Sequence, residues 1–258
     1  VFDPYGPNRL CWDAFMLVLI LVIAVVTPFE LTFLEGADWG PGFRGDDATG
    51  IVFIFYLNRV SDVFFLADMV LTFNTSFFDQ AAGRWVEELD TIARAYLRCW
   101  FWLDVLSLLP YSLMMASVKG AGLIRVVRLV RLMKLLKLAK QPRIMAKLRQ
   151  YVTMPIKTQT LLKYFILLFF IIHWTACTLR LLTAYILGDC HPRDDDDEKC
   201  PKTYLSTTRR WEQGPWAAYA GAVIWSIGAL SGESYMPANM EETILNTFIL
   251  VVGMVVMA

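Results

Sequence analysis

Charge is scarce in this chain: acidic and basic residues make up 19% of its 258 residues while 57% are hydrophobic, whereas soluble domains carry roughly 25% charge. That balance excludes an ordinary soluble domain and fits a chain dissolved in lipid. The 24 basic and 24 acidic residues cancel, so no net charge draws it to nucleic acid, and no nucleic-acid partner is expected. Cysteine is also sparse. Five residues are too few for a disulfide scaffold and are not spaced as zinc ligands. Cys11, Cys99 and Cys177 lie in or beside apolar stretches, but Cys190 and Cys200 bracket the polar "HPRDDDDEK" and form a candidate disulfide if that loop is extracellular. Only two histidines occur, His173 in the apolar "IIHWTAC" and His191 in the polar loop. Neither offers a catalytic foothold, His173 is expected to make a structural hydrogen bond, and no enzyme activity is expected. The run from Asp194 to Glu198 lacks the alternating ligands and glycine turn of a calcium loop and reads as solvated.

What is present is a series of long apolar runs. Six can be drawn, at residues 10–28, 51–73, 96–115, 123–140, 160–187 and 243–258, and a bilayer core needs ~20 helical residues to cross it. A seventh run, residues 216–230, is too short and suits a re-entrant half-length helix, started by Gly214 and Pro215. The acidic residues concentrate in the loops at 30–50 and 188–213, whereas Arg143, Lys147, Arg149, Lys157 and Lys163 follow the fourth run. The positive-inside rule then makes the protein multi-pass with both termini cytoplasmic. The expected fold is an all-α membrane protein: a four-helix unit at 1–142, a cytoplasmic linker at 143–159, and a two-helix unit with the re-entrant helix at 160–258. The last run is short for a span, so the natural protein is expected to continue beyond Ala258.

The fourth run, "IRVVRLVRLMKLLKLAKQPR", carries Arg125, Arg128, Arg131, Lys134, Lys137 and Lys140 at every third position among apolar residues. A step of three turns an α-helix by about 300°, so the charges trace a slow spiral. One cation at the membrane centre costs about 3 kcal/mol, and six without partners would cost on the order of 18 kcal/mol. The other runs offer acids: Asp62 and Asp68 share a helical face with Phe65, and Asp104 interrupts "CWFWLDVLSLLP". Moving six charges through a 100 mV field yields at most ~14 kcal/mol, enough to drive a conformational change. The pattern predicts a voltage-sensor-like bundle. A basic amphipathic helix on the lipid surface is the alternative, and as such a helix can be a calmodulin target, calmodulin is a candidate partner. Static pairs that merely assemble the bundle are the other reading of the acids. Gln141 and Pro142 end the series before Arg143.

The seventh run ends in "SGES", Ser231, Gly232, Glu233 and Ser234. Non-helical backbone at membrane depth must be buried or line water, and several subunits around an axis provide such a lining. Four copies of Glu233 would form a carboxylate ring, which selects cations and offers divalent ions hard oxygen ligands. These four residues are therefore the candidate selectivity filter, with Glu233 the ligand for permeant metal ions, and Gly232 allows the tight turn. The alternative for Glu233 is a salt bridge to Arg209 or Arg210. No Thr-Val-Gly-Tyr-Gly run occurs, so a potassium filter of stacked carbonyls is not expected. Glu241 and Glu242 either add negative potential at the outer mouth or form an ordinary solvated helix start.

With these residues in place, the chain resembles the cyclic nucleotide-gated channel family. The resemblance rests on "DVFFLADMVLTFNTSF", "YLRCWFWLDVLSLLPY", the charged fourth run, "IIHWTAC" and the Gly232–Glu233 pair. It implies a tetramer, with three further subunits as partners, in a plasma or ciliary membrane. It also implies weakly selective passage of Na⁺ and K⁺ with Ca²⁺ entry and block, and a domain beyond Ala258 that binds cAMP or cGMP. By the same resemblance Phe65, Asp68 and Asp104 form the occluded site through which sensor charges pass. Leu230 and Ser231 stand where the family's animal members have threonines, and Pro237 comes later than their proline. Hyperpolarisation-activated and ether-a-go-go channels share the scaffold but have a Gly-Tyr-Gly or Gly-Phe-Gly filter. A non-conducting regulatory subunit is the remaining alternative.

Overall fold

The computed structural model describes residues 2–4, 6–34, 45–79, 83–108, 132, 135–136, 155–187, 202–208, 214–233 and 237–257. Helix dominates these residues, and the chain forms two compact units. One comprises Val1–Thr27 and Phe53–Pro155, the other Pro28–Val52 and Ile156–Ala258.

In the first unit, helix α1 (Pro7–Phe29) starts with proline at a position whose N–H would have no intrahelical partner, and the Gly6 carbonyl accepts the first bond from Leu10 N–H at 3.0 Å. Helix α2 (Gly45–Phe73) supplies Phe65, which packs among Met16, Leu19, Ile20 and Ile23 of α1. A polar contact joins the same helices where Thr27 Oγ1 donates to Asn58 Oδ1 at 3.4 Å. Beyond α2 Phe2 forms an isolated bridge with Thr75, and a hairpin follows, β1 (Phe77–Asp79) against β2 (Arg84–Val86), turning at Gly83 with φ 63°. The sequence did not announce this hairpin. Nor does the third apolar run begin one continuous helix: an amphipathic α3 (Leu89–Cys99) breaks at Trp100 before α4 (Phe101–Leu108).

In the second unit, Pro28 removes an N–H from the helical ladder, and the chain continues as a π-helical turn, Glu30–Leu34, whose Leu31, Thr32 and Phe33 are buried. Glu30 thus belongs to helix and not to the expected outer loop. Phe29 stacks on Phe33 and on Trp216, with centroids 5.3 and 4.8 Å apart. Helix α5 (Ile156–Leu187) and the short α6 (Tyr204–Thr207) precede α7 (Pro215–Ser231), and α8 (Met240–Met257) follows it. His173 of α5 makes the structural bond expected of it, 2.8 Å from Nδ1 to the Tyr219 hydroxyl of α7.

Two helical stretches among the described residues, Pro7–Leu34 and Ile156–Leu187, are long and apolar enough to cross a bilayer. The outward face of α2 reinforces a lipid setting, because Tyr56, Val60, Val63, Leu66 and Val70 recur along it at helical spacing and are exposed. A water-soluble helix would turn polar residues outward there.

Gly253 of α8 lies hard against the end of α7: a Cβ at this position would stand 2.6 Å from the Leu230 carbonyl oxygen. Gly253→Ala must therefore push α8 and α7 apart. The expected cost is about 1–3 kcal/mol, read as a lower melting temperature of the purified protein in detergent, and an unchanged value would contradict the close packing.

Candidate functional site

The acids singled out from sequence fall in the first unit, and each finds a different environment. Asp68, near the end of α2, accepts a bond from Trp12 Nε1 at 3.0 Å and lies 3.4 Å from Arg9 Nη2. Arg9 also contacts the buried Asp13 at 3.1 Å, one turn along α1. Sequence reasoning missed both Arg9 and Asp13, because the first run was drawn from residue 10 and left the cation outside. The available signal was the i, i+4 charge pair at the run's edge. Asp62 meets Arg59 of its own helix at 3.7 Å, a pair too open to contribute much.

Asp104 is 1% exposed and accepts a hydrogen bond from the Tyr96 hydroxyl. Residues eight apart on an unbroken helix are separated by about 12 Å along the axis. The break at Trp100 lets this pair meet. Phe65 is buried at 2% in the α1–α2 core. An indole and a phenol thus donate to Asp68 and Asp104, and Arg9 donates to Asp68 as well. The six basic residues Arg125 to Lys140 lie outside the described residues, as do Cys190, Cys200, Arg209, Arg210 and Ser234.

The filter candidates fall in the second unit, at the end of α7. Gly214, with φ 112°, turns the chain into Pro215 at the first helical position. At the other end Gly232 adopts the left-handed conformation with φ 81°, which a side chain would strain. Its N–H and that of Glu233 both return to the Gly228 carbonyl, the latter at 3.0 Å, and Ser231 Oγ adds a third bond to it at 3.1 Å. Ser231, Gly232 and Glu233 are exposed in the isolated chain. A helix C-terminus carries partial negative charge, so the end of α7 and the Glu233 carboxylate both favour a cation at this point.

Glu242 corrects an expectation. In place of a solvated helix start, its side chain is fully buried and accepts bonds from the backbone N–H groups of Tyr204 and Ala238, each at 2.9 Å. No group of three or more metal-ligating side chains occurs among the described residues.

The profile of the family described as Ion transport protein matches residues 9–258. Among full-length relatives, the chain is 24% identical to the potassium channel KAT2 of Oryza sativa subsp. japonica over 94% of this chain and 37% of that protein. It is 28% identical to the potassium channel AKT6 of Arabidopsis thaliana over 97% of this chain and 26% of that protein. Against the rice potassium channel KAT1 the figures are 25%, 94% and 31%. The chain therefore spans between about a quarter and two fifths of the length of these relatives.

Arg9 bridges two helices through Asp13 and Asp68, so Arg9→Ala leaves both acids without this cation in a largely buried place. Removing one partner of a buried pair costs about 3 kcal/mol or more. Arg9→Lys is expected to recover part of the loss. Thermal unfolding of both variants in detergent tests this, and equal melting temperatures for Arg9→Ala and the native protein would remove the cluster's structural role.

Proposed function

We propose that this chain, which belongs to the ion transport protein family, is the pore-forming part of a tetrameric, weakly selective cation channel with a voltage-sensor-like bundle. It is a transport protein and not an enzyme. The observation that carries the reading is the half-length helix α7, closed at a left-handed Gly232 and presenting Glu233 at its exposed end. Its 17 residues span about 25 Å, less than a hydrocarbon core of about 30 Å. Four such ends around an axis bring four carboxylates and four helix C-termini to one place. Na⁺ and K⁺ pass, and Ca²⁺ enters and lingers on the carboxylate oxygens.

In this reading Asp62, Phe65, Asp68 and Asp104 serve the cationic series Arg125, Arg128, Arg131, Lys134, Lys137 and Lys140 as it moves in the membrane field. The protein lies in the plasma or ciliary membrane with both termini cytoplasmic. A cyclic-nucleotide-binding domain beyond Ala258 is part of the proposal and rests on the resemblance of motifs alone.

A second reading has a specific observation behind it. The relatives named above are all potassium channels, which favours a potassium-selective pore. Against it stands the sequence, which has no Gly-Tyr-Gly run. Reversal potentials of the full-length protein in Na⁺, K⁺ and Ca²⁺ gradients separate the two: dependence on the K⁺ gradient alone selects the second reading.

Glu233→Gln is expected to weaken external Ca²⁺ block by about tenfold or more, the equivalent of ~1.4 kcal/mol, with monovalent current preserved. Block measured over a Ca²⁺ series that does not move between native and Gln channels removes Glu233 from the ion path.

A further inference from the structure

Glu242 stands in the first turn of the eighteen-residue α8, where an acidic side chain is ordinarily solvated, yet it is fully buried. Burying a carboxylate is costly unless its oxygens are bonded. Here both are engaged: Oε1 by the N–H of Tyr204, the first residue of α6, and Oε2 by the N–H of Ala238, each at 2.9 Å. These are charge-assisted bonds, about twice as strong as neutral ones. The rest of the junction supports them. Thr203 and Ser206 form a reciprocal capping box on α6, Asn239 Nδ2 donates to the Lys202 carbonyl, and the Tyr204 ring lies 6.4 Å from that of Trp225 in α7.

Glu242 and Gly253 together give the segment carrying Glu233 two fixed points on one helix. At its start, the Leu230 carbonyl rests against Gly253, and Gly232 faces Leu250, whose Cδ2 would be 3.8 Å from an added Cβ. At its end, Ala238 is tied to Glu242. Positions 242 and 253 are separated by about 16 Å along α8. The chain leaves α7 at one of these points and rejoins α8 at the other, so α8 sets the span that the segment must cover.

We propose that Glu242 is a positioning residue for ion passage: by tying Ala238 and α6 to α8 it fixes where the chain after Glu233 returns, and so fixes the geometry of the carboxylate ring. The proposal rests on Glu233 lying in the ion path. A purely structural role predicts fewer assembled channels with unaltered permeation, whereas a positioning role predicts altered permeation in each channel that assembles.

Two measurements on the full-length protein decide it. The first is the sodium-to-potassium permeability ratio, read from reversal potentials, together with external Ca²⁺ block, in the native protein, Glu242→Gln and Glu242→Asp. The second is amide hydrogen exchange of segments containing Tyr204 and Ala238 in lipid nanodiscs, which does not depend on conduction. Glu242→Gln is expected to change the permeability ratio, weaken block, and speed exchange at one or both amides about tenfold, as the loss of a charge-assisted bond implies. Glu242→Asp keeps the charge but loses a methylene, and is expected to fall between native and Gln; it carries the test alone if the Gln variant does not assemble. Unchanged exchange in the variants overturns the latch. Faster exchange with native permeation and block overturns the positioning role. If the native protein passes no current with cyclic nucleotide or at any voltage, the pore reading falls and the positioning role with it, while exchange still reports separately on the latch.

Discussion

A helix that ends partway through a bilayer must hand its last carbonyls to something other than lipid, since each unsatisfied backbone group there costs several kcal/mol. In the proposed pore reading helix α7 is such a helix, and it meets part of this demand internally. Three donors, from Ser231, Gly232 and Glu233, converge on the Gly228 carbonyl, and the Leu230 carbonyl is covered by the backbone of α8 at Gly253. Only glycine lets two backbones come so close, and only a left-handed residue folds the chain back so soon after the last turn. The placement of Glu233 depends on both conditions. Its side chain follows directly from the turn at Gly232, so anything that moves the turn moves the carboxylate.

The first unit solves a related problem with side chains. Asp104 takes a hydrogen bond from Tyr96, and Asp68 takes one from Trp12 and another from Arg9. Each such bond holds a carboxylate in position and reduces the cost of its burial. Asp13 shares Arg9 with Asp68 at the start of α1, an arrangement that joins α1 to the end of α2.

Some of this was legible in the sequence and some was not, for physical reasons. The extent of α7 could be read because Gly-Pro and Ser-Gly mark its ends, and those signals act locally. The hairpin at Phe77–Asp79 and Arg84–Val86 escaped because three-residue strands are too short to show alternation. The break at Trp100 is hidden inside an apolar run, since its cause is not a proline or glycine. Arg9 falls one residue outside the apolar run at 10–28, and Asp13, inside that run, shows its role only beside this cation. Glu242 was the largest miss. Its partner Tyr204 lies 38 positions away, and no local pattern distinguishes a buried acid in a helix's first turn from a solvated one.

The chemistry of a side-chain filter follows from its freedom. A column of backbone carbonyls holds its oxygens at fixed spacing, and strong potassium selectivity is associated with such columns. In the proposed tetramer Glu233 offers its oxygens at the end of rotatable bonds, so such a ring can contract around a small divalent ion or relax around a larger monovalent one. In that proposed reading its discrimination comes mainly from the number of charges and from how near they stand, and charge favours Ca²⁺ over Na⁺ and K⁺ without separating the last two sharply. The distance between opposing carboxylates is the quantity on which that balance turns. On the proposed role of Glu242, that distance is governed less by Glu233 itself than by the backbone on either side of it, which meets the same helix at Gly253 and Glu242.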